Sequence, residues 1–428
     1  MENESNSRFL GKLQVMSDSK SKVLSIIGQG YVGLPLAMAA VEAGWEVLGI
    51  DKSAEKVAEI NSGHSPIEDV SDKQLLNAIS SKNYFATTDF SRANRASVVT
   101  FCVPTPLDAD RKPDLGPLRD AALSVAPFLE DGTLVISEST SYPGTLRKLI
   151  IPLIEEVKKD KSFSFFYASA PERVNPGDLI WSQRNTPRLV GGIGKESQER
   201  ALAFYSSICE SVIEVESPEV AEAAKLLENT FRLVNIALIN EFAQLCGAEG
   251  IDVNSVVKAA SSKPFGFMPF KPGIGVGGHC IPVDPLYLTW WADQMGQSAD
   301  IVKLADSINR SMPAYIASRA MGLVGSNVKK PKVLIFGVSY KADIADVRDT
   351  PVLELINQLV KEGAEVIWHD PLVREWQGGK SVDLPWVCDV AVLATNHSAM
   401  NLTSLIESKI PILDCTNTLP KQTNIHTI

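Results

Sequence analysis

From Lys22 onward, short apolar runs alternate with longer stretches in which apolar residues recur every three or four positions. Val23-Leu24-Ser25-Ile26-Ile27 reads as a strand buried on both faces. Leu34 to Ala43 reads as a helix, and Glu46-Val47-Leu48-Gly49-Ile50 as a second strand ending at Asp51. Ser97–Val103, Thr133–Ser137, Phe165–Ser169, Arg188–Val190 and Val212–Val215 carry the same strand signal, with helical segments between most of them. This alternation predicts an α/β fold with a doubly wound parallel sheet. Between Pro218 and Gly250 the rhythm changes. Val220, Ala224, Leu227, Phe231, Val234, Leu238, Phe242 and Leu245 fall at steps of three and four, which predicts one long helix. A second α/β unit begins at Lys332, with strands predicted at Val333–Gly337, Glu365–Trp368, Val390–Ala394 and Pro411–Asp414. The expected architecture is two parallel-sheet domains joined by a long central helix. Its parts are a flexible tail (1–21), a first α/β domain (22–215), a central helical region (216–328) and a second α/β domain (329–428).

The bulk numbers narrow the class. The chain has 428 residues, 45% hydrophobic and 21% charged, the balance of a globular protein. A net charge of −10 argues against nucleic acid as a partner, so an anionic ligand needs a local positive site. Six cysteines are scattered without CxxC spacing and the histidines form no HxxxH pair, so neither a disulfide framework nor a metal site is expected. The polar first 21 residues lack the apolar core of a signal peptide, and no apolar run is long enough for a membrane span. A cytoplasmic protein is expected.

Five motifs carry candidate chemistry. Gly28-Gln29-Gly30-Tyr31-Val32-Gly33 follows a strand and opens a helix, with Asp51 at the next strand end. The glycines permit a tight turn, close approach of a pyrophosphate and helix packing, while Asp51 can take a ribose hydroxyl. Strand, turn, helix and acid in register predict a Rossmann dinucleotide site, with NAD favoured because Asp51 repels a 2′-phosphate; Lys52 softens that preference. Val103-Pro104-Thr105-Pro106 and Glu138-Ser139-Thr140 sit where ligands bind open sheets, and read equally as ordinary turns. Lys225 and Asn229 share a face of the long helix, which alone reads as its solvated side. In Gly273-Ile274-Gly275-Val276-Gly277-Gly278-His279-Cys280-Ile281-Pro282-Val283-Asp284-Pro285, the glycines allow close approach to a ligand and can present N–H groups that acidify a thiol. The plain alternative is a buried structural cysteine. Finally, Tyr340-Lys341-Ala342-Asp343 and Asp346-Val347-Arg348-Asp349 could hold phosphates or simply pair internally.

These motifs in this order resemble the UDP-glucose/GDP-mannose dehydrogenase family. The resemblance runs from Val23 to the C-terminus and is most specific in GVGGHCIPVDP (275–285), PERVNPG (171–177) and SYKADIADVRDTP (339–351). It implies an NAD-binding first domain, a homodimer formed through the central helix, and a last domain that binds the UDP-sugar. It makes Cys280 the nucleophile, with Lys225, Asn229 and Asp284 beside the reacting carbon, and Thr140 and Glu172 handling water. Gly28, Gly30, Tyr31, Val32, Gly33, Asp51, Lys52, Pro104, Thr105, Thr140 and Arg348 fall to the cofactor. Glu172, Arg173, Val174, Asn175, Lys225, Asn229, Val276, Gly277, Tyr340 and Lys341 fall to the substrate. The family's arginine from a neighbouring subunit has no counterpart, since Lys258–Lys271 contains lysines only.

The implied reaction is a four-electron oxidation at C6 through a thiohemiacetal and a thioester on Cys280. A two-electron hydroxyacid dehydrogenase has no use for that cysteine, and a non-catalytic nucleotide-binding module would bind NAD without turnover. His279 and Val283, flanking the cysteine, resemble the N-acetylhexosamine branch. Together with ESTSYPGT (138–145) and VPTPLDADRKPDL (103–115), which resemble UDP-N-acetylglucosamine 6-dehydrogenases, they place UDP-N-acetylglucosamine first, UDP-N-acetylmannosamine second and UDP-glucose third.

Overall fold

A computed structural model describes residues 22–159, 162–174, 180–383 and 387–428. The tail 1–21 lies outside them. The chain forms two compact units, Met1–Leu227 and Glu228–Ile428. The division falls inside one continuous helix, Pro218–Ala248.

The first unit is built on eight strands: β1 (Val23–Ile27), β2 (Glu46–Ile50), β3 (Tyr84–Thr87), β4 (Val98–Phe101), β5 (Leu134–Ser137), β6 (Phe166–Ser169), β7 (Arg188–Gly192) and β8 (Val212–Glu214). Their order is β3-β2-β1-β4-β5-β6-β7-β8. The chain winds outward both ways from β1, the doubly wound topology that opens a crevice beside that strand. The sheet is not wholly parallel as expected. β7 pairs antiparallel with β6, matching Gly191 to Ser169 and Gly192 to Ala168. The glycines explain how the return strand fits. A Cβ on Gly191 would lie 2.2 Å from the Ser217 carbonyl oxygen, and one on Gly192 would lie 2.4 Å from the Gln198 nitrogen. Strand β3 was not expected either. It is an edge strand whose Phe85 is exposed, so it lacks the unbroken apolar run of an interior strand. Leu24 and Ile26 in β1 are fully buried, and truncating either to alanine costs about 2–5 kcal/mol.

The second unit holds β9 (Lys332–Phe336), β10 (Glu365–His369), β13 (Val390–Leu393), β14 (Ile412–Asp414) and β15 (Ile425–Thr427), with a small hairpin of β11 (Glu375–Trp376) and β12 (Gly379–Lys380). The order β10-β9-β13-β14-β15 is parallel throughout.

The two units repeat one turn. Gly28 N–H donates to the Ile50 carbonyl at 2.7 Å, and Gly337 N–H to the His369 carbonyl at 2.9 Å. The next amide then meets the acid ending the neighbouring strand: Gln29 to Asp51 at 2.9 Å, Val338 to Asp370 at 2.8 Å. The acids differ in what else they hold. Asp370 is fully buried and also accepts from Leu372, Val373, Ser339 and, at 3.1 Å, His397 Nε2. His397 Nδ1 accepts from the Asp343 amide, so its proton sits on Nε2, facing Asp370. These donors hold Asp370 at about 2, although burial alone pushes it up.

The long helix is 31 residues, roughly 46 Å. Its conspicuous apolar stripe points away from the protein. Leu227 is 68% exposed and Leu238 61%, with Phe231, Phe242 and Leu245 also exposed. The helix buries instead Ala221, Leu226, Leu233, Ala237 and Ala243. No helix among the described residues is long and apolar enough to cross a membrane.

Candidate active site

In the first unit the glycine turn is shaped by three different demands. Gly28 has φ 98°, and a Cβ there would lie 2.5 Å from the Cys102 carbonyl oxygen. A Cβ on Gly33 would lie 1.9 Å from the Gly28 oxygen. Gly30 instead faces open space, with nothing within 4 Å. The helix Gly33–Glu42 starts at Val32 with no side-chain cap and no acid in its first turn. Its first turn offers few free amides, because Pro35 has none and the Leu34 amide donates to the Gly30 carbonyl at 3.1 Å. Beside the turn, Tyr31 reaches Glu68 at 3.4 Å.

Asp51 accepts from the amides of Gln29 and Ser53 and from Lys56 Nζ at 2.9 Å. Burial would raise its carboxyl, but these donors outweigh it and hold Asp51 below the usual range. The sequence reading put Lys52 here. Lys52 is exposed, and Lys56, one helical turn further on, is the lysine at the carboxylate. An i+5 partner past a strand end carries no sequence signal until the helix Ala54–Asn61 is placed.

The carboxyl ends of β4 and β5 are stitched together. Thr105 donates to the Thr140 carbonyl at 2.7 Å and Ser139 to the Val103 carbonyl at 2.7 Å. Pro104 is exposed beside them. Beneath lies a buried cluster the sequence reading missed. Glu138 meets Arg188 at 3.1 Å and accepts from Tyr205 at 2.6 Å. Burial would lower Arg188, but Glu138 keeps it charged. Burial raises Glu138 against the pull of Arg188. The only hint in the sequence was a charged residue opening an apolar strand. Glu172 is half-buried, its carboxylate bonded to the Val174 amide. Its own amide donates to the Glu138 carbonyl at 3.4 Å. Arg173 donates to the Pro187 carbonyl at 2.8 Å. Asn175 lies outside the described residues.

On the long helix, Lys225 and Asn229 are 6% and 7% exposed. They are not on its solvated side. Nothing in their spacing could reveal this, because the stripe that advertises the helix faces the other way. In the second unit, Asn229 Nδ2 donates to Asp284 Oδ2 at 2.5 Å.

Asp284 begins the helix Asp284–Gln294, its amide bonded to the Cys280 carbonyl at 2.8 Å. Cys280 therefore sits one turn before a helix N-terminus, where a thiolate is favoured. It is the exposed member of six free cysteines; Cys102, Cys209, Cys246 and Cys415 are buried and Cys388 half-buried. The glycines before it also answer to neighbours within the chain. A Cβ on Gly277 would lie 2.7 Å from Tyr340 Cβ, one on Gly278 2.7 Å from the Tyr340 ring, and one on Gly275 2.8 Å from the Asn309 carbonyl oxygen. They are small because the Tyr340 and Pro351 segment lies across them. Gly278 N–H is spent on the Arg348 carbonyl. Val276 packs against the apolar cluster of Leu233, Ala237, Val302 and Ala305. The loop is anchored by Asn240, which accepts from Gly273 and donates to Asn309. His279 is held below its usual value by burial and then by Arg348. Arg348 itself pairs with Asp346 at 2.5 Å, and Lys341 is half-buried.

An uncapped helix start, an open glycine and a strand-end acid in one unit, with an exposed cysteine at a helix start in the other, match one known arrangement. Three models of the UDP-glucose/GDP-mannose dehydrogenase family fit the chain: the NAD binding domain over residues 22–209, the central domain over 219–311 and the UDP binding domain over 334–421. The chain belongs to this family. It is an NAD-dependent UDP-sugar dehydrogenase.

Proteins similar to this dehydrogenase are named for more than one sugar. A UDP-N-acetyl-D-mannosamine dehydrogenase of Methanococcus vannielii is 37% identical over 387 residues, 89% of this chain and 87% of that one. A UDP-N-acetyl-D-glucosamine 6-dehydrogenase of Pseudomonas aeruginosa is 37% identical over 361 residues, 83% of this chain and 84% of that one. The solved UDP-D-ManNAc dehydrogenase of Pyrococcus horikoshii superposes with a TM-score of 0.85 at 32% identity, covering 95% of this chain and 99% of that one. The turn at Gly28–Gly33 suits the NAD of this family, since Gly30 leaves its approach open and Asp51 keeps a lone pair for a ribose hydroxyl.

Proposed function

We propose that the enzyme oxidises the C6 alcohol of a UDP-N-acetylhexosamine to the carboxylate, with Cys280 holding the sugar between two oxidations. The observation that carries this is Cys280, exposed one turn before the helix that begins with Asp284. A two-electron dehydrogenase needs no such group. NAD, held by Gly28, Gly30, Gly33 and Asp51, supplies the hydride acceptor for each oxidation.

The chain's own residues do the rest. Lys225 and Asn229 stabilise the oxygen at C6 as charge develops on it, and Asp284 takes the alcohol proton directly or through water. The Cys280 thiolate adds to the aldehyde carbon and the resulting oxyanion returns to the Lys225–Asn229 pair. The second oxidation removes hydrogen from that carbon and leaves a thioester. Water positioned by Thr140 and Glu172 attacks the thioester, and the thiolate departs with the carboxylate formed. Tyr340, Lys341, Arg173, Val174 and Asn175 are assigned to the nucleotide sugar, Val276 and Gly277 to the wall of the cysteine loop, and Arg348 to the cofactor side.

The motif around Cys280 favours a UDP-N-acetylhexosamine over UDP-glucose, and the resemblance of ESTSYPGT (138–145) and VPTPLDADRKPDL (103–115) puts UDP-N-acetylglucosamine first. The manno epimer is the second reading, supported by the mannosamine enzyme that matches 89% of this chain. The test is kcat/KM for both epimers and for UDP-glucose, followed by NADH absorbance. A preference for UDP-glucose overturns the hexosamine assignment and leaves the cysteine chemistry standing. The outward apolar stripe of the long helix supports a homodimer formed across it, since so large an exposed apolar surface marks an interface.

A further inference from the structure

Glu222 is a buried carboxylate for which the reaction above has no role. It lies one turn before Lys225 on the long helix, so both side chains leave the same face. Its oxygens accept from the amides of Gly144 at 2.6 Å and Leu146 at 3.2 Å. Those amides open the helical segment that begins at Leu146 and runs on through Ile151–Val157. Thr145 precedes it and supplies no cap, because its hydroxyl turns back to the Tyr142 carbonyl. Glu222 therefore caps this segment from another element. The opposite end of the same loop is fixed where Thr105 holds the Thr140 carbonyl. Burying an ionised carboxyl is costly. A serine or aspartate at the segment's own start would cap it more cheaply. Capping alone does not account for Glu222.

We propose that Glu222 is a positioning residue whose ionised carboxylate clamps the Thr140–Leu146 loop to the helix turn carrying Lys225. This rests on the roles given above to Thr140 and Lys225. A protonated Glu222 presents an O–H where the clamp needs an acceptor, so one bond is lost and the loop loosens. Burial raises Glu222 to about 7 against the two amides, with Glu219 adding to the rise and Arg147 opposing it. Tyr142 is the other titratable group that senses it. Turnover therefore falls as pH drops through neutral. Stability runs the other way. The folded value lies above the ordinary 4.5, so Glu222's contribution to stability is present below that value and lost as pH rises through about 7. Opposite slopes mark a group kept for the reaction.

The test follows kcat on both sides of neutral pH with both UDP-N-acetylhexosamines, and hydrogen exchange of the Gly144–Leu146 amides. Wild type is expected to lose kcat on the acid side. Glu222→Gln is expected to lack that limb and to turn over roughly tenfold slower or worse, with KM less affected. Glu219→Gln removes a charge that adds to the rise and releases Arg147, so its acid limb should move to lower pH while the plateau kcat is kept. In wild type, which needs no variant to fold, exchange at these amides should quicken relative to its intrinsic rate below neutral pH. Protection that stays uniform across that range overturns the clamp whatever the variant does. So does a Glu222→Gln enzyme with wild-type kcat and the same acid limb. A clamp that opens as expected while Thr140→Ala and Lys225→Ala remain fully active overturns those two roles, and the positioning role with them.

Discussion

Asn229 and Asp284, 55 residues apart in sequence, meet through a 2.5 Å hydrogen bond from the Asn229 amide to the Asp284 carboxylate. The bond joins the long helix to the helix that follows Cys280. It also aims the carboxylate, because the Asn229 amide fixes one of its oxygens. Asp284→Asn keeps the shape and removes the base. Turnover should fall by about 100-fold or more, while NAD binding, read by fluorescence titration, stays at the wild-type value. A variant with undiminished kcat removes Asp284 from the proton path.

Cys280→Ala should abolish carboxylate production without weakening NAD binding. Wild type should make two NADH for each sugar consumed, because the cysteine retains the aldehyde for a second oxidation. Counting NADH against UDP-sugar by chromatography checks this. A ratio of one contradicts the covalent route.

Glu172→Gln should slow hydrolysis more than oxidation. Mass spectrometry of quenched protein should then show a sugar adduct on Cys280 that wild type does not accumulate. Fast turnover with no adduct assigns the water to another group.

Asp51 repels a 2′-phosphate and Lys56 does not. In Asp51→Ala the Lys56 ammonium loses its partner and is left to receive that phosphate. The NAD-over-NADP ratio of kcat/KM should therefore shrink by roughly tenfold. A wild-type enzyme that prefers NADP would refute this reading of the strand end.

Placing charge on the outward stripe should break the assembly. Leu227→Asp with Leu238→Asp, both at strongly exposed positions, is expected to yield folded monomer by sedimentation. Unchanged dimer, or a wild-type monomer, relocates the interface or removes it.

The parts of this protein governed by neighbours in sequence were legible. The run at Val23–Ile27, the glycine turn and Asp51 form one local unit, within which Gly33 packs on Gly28, although Gly28 itself is hemmed in by the distant Cys102. The long helix declared itself by periodicity, but periodicity reports that an apolar face exists and not what covers it. On spacing alone Lys225 and Asn229 therefore read as solvated, and it is the family resemblance that puts them in the site; both are buried. The glycines before Cys280 read as room for a ligand, and what the pattern did not show is that Tyr340, some sixty residues later, lies against Gly277 and Gly278. Glu138–Arg188, Glu222–Gly144 and Asp370–His397 join residues 50, 78 and 27 positions apart. Bonds of that reach leave no trace in local pattern.

The Asp370 turn has a consequence for how the enzyme is paced. His397 bonds the acid of that turn, whereas Asp51 ends the turn that the proposed reaction uses for its oxidant. In the proposed reaction each sugar surrenders two hydrides, so the chain has to release one spent cofactor and admit a fresh one midway. The bond to Cys280 is then a mooring line as well as a chemical step. It lets the enzyme open its door between oxidations without casting the half-finished sugar adrift.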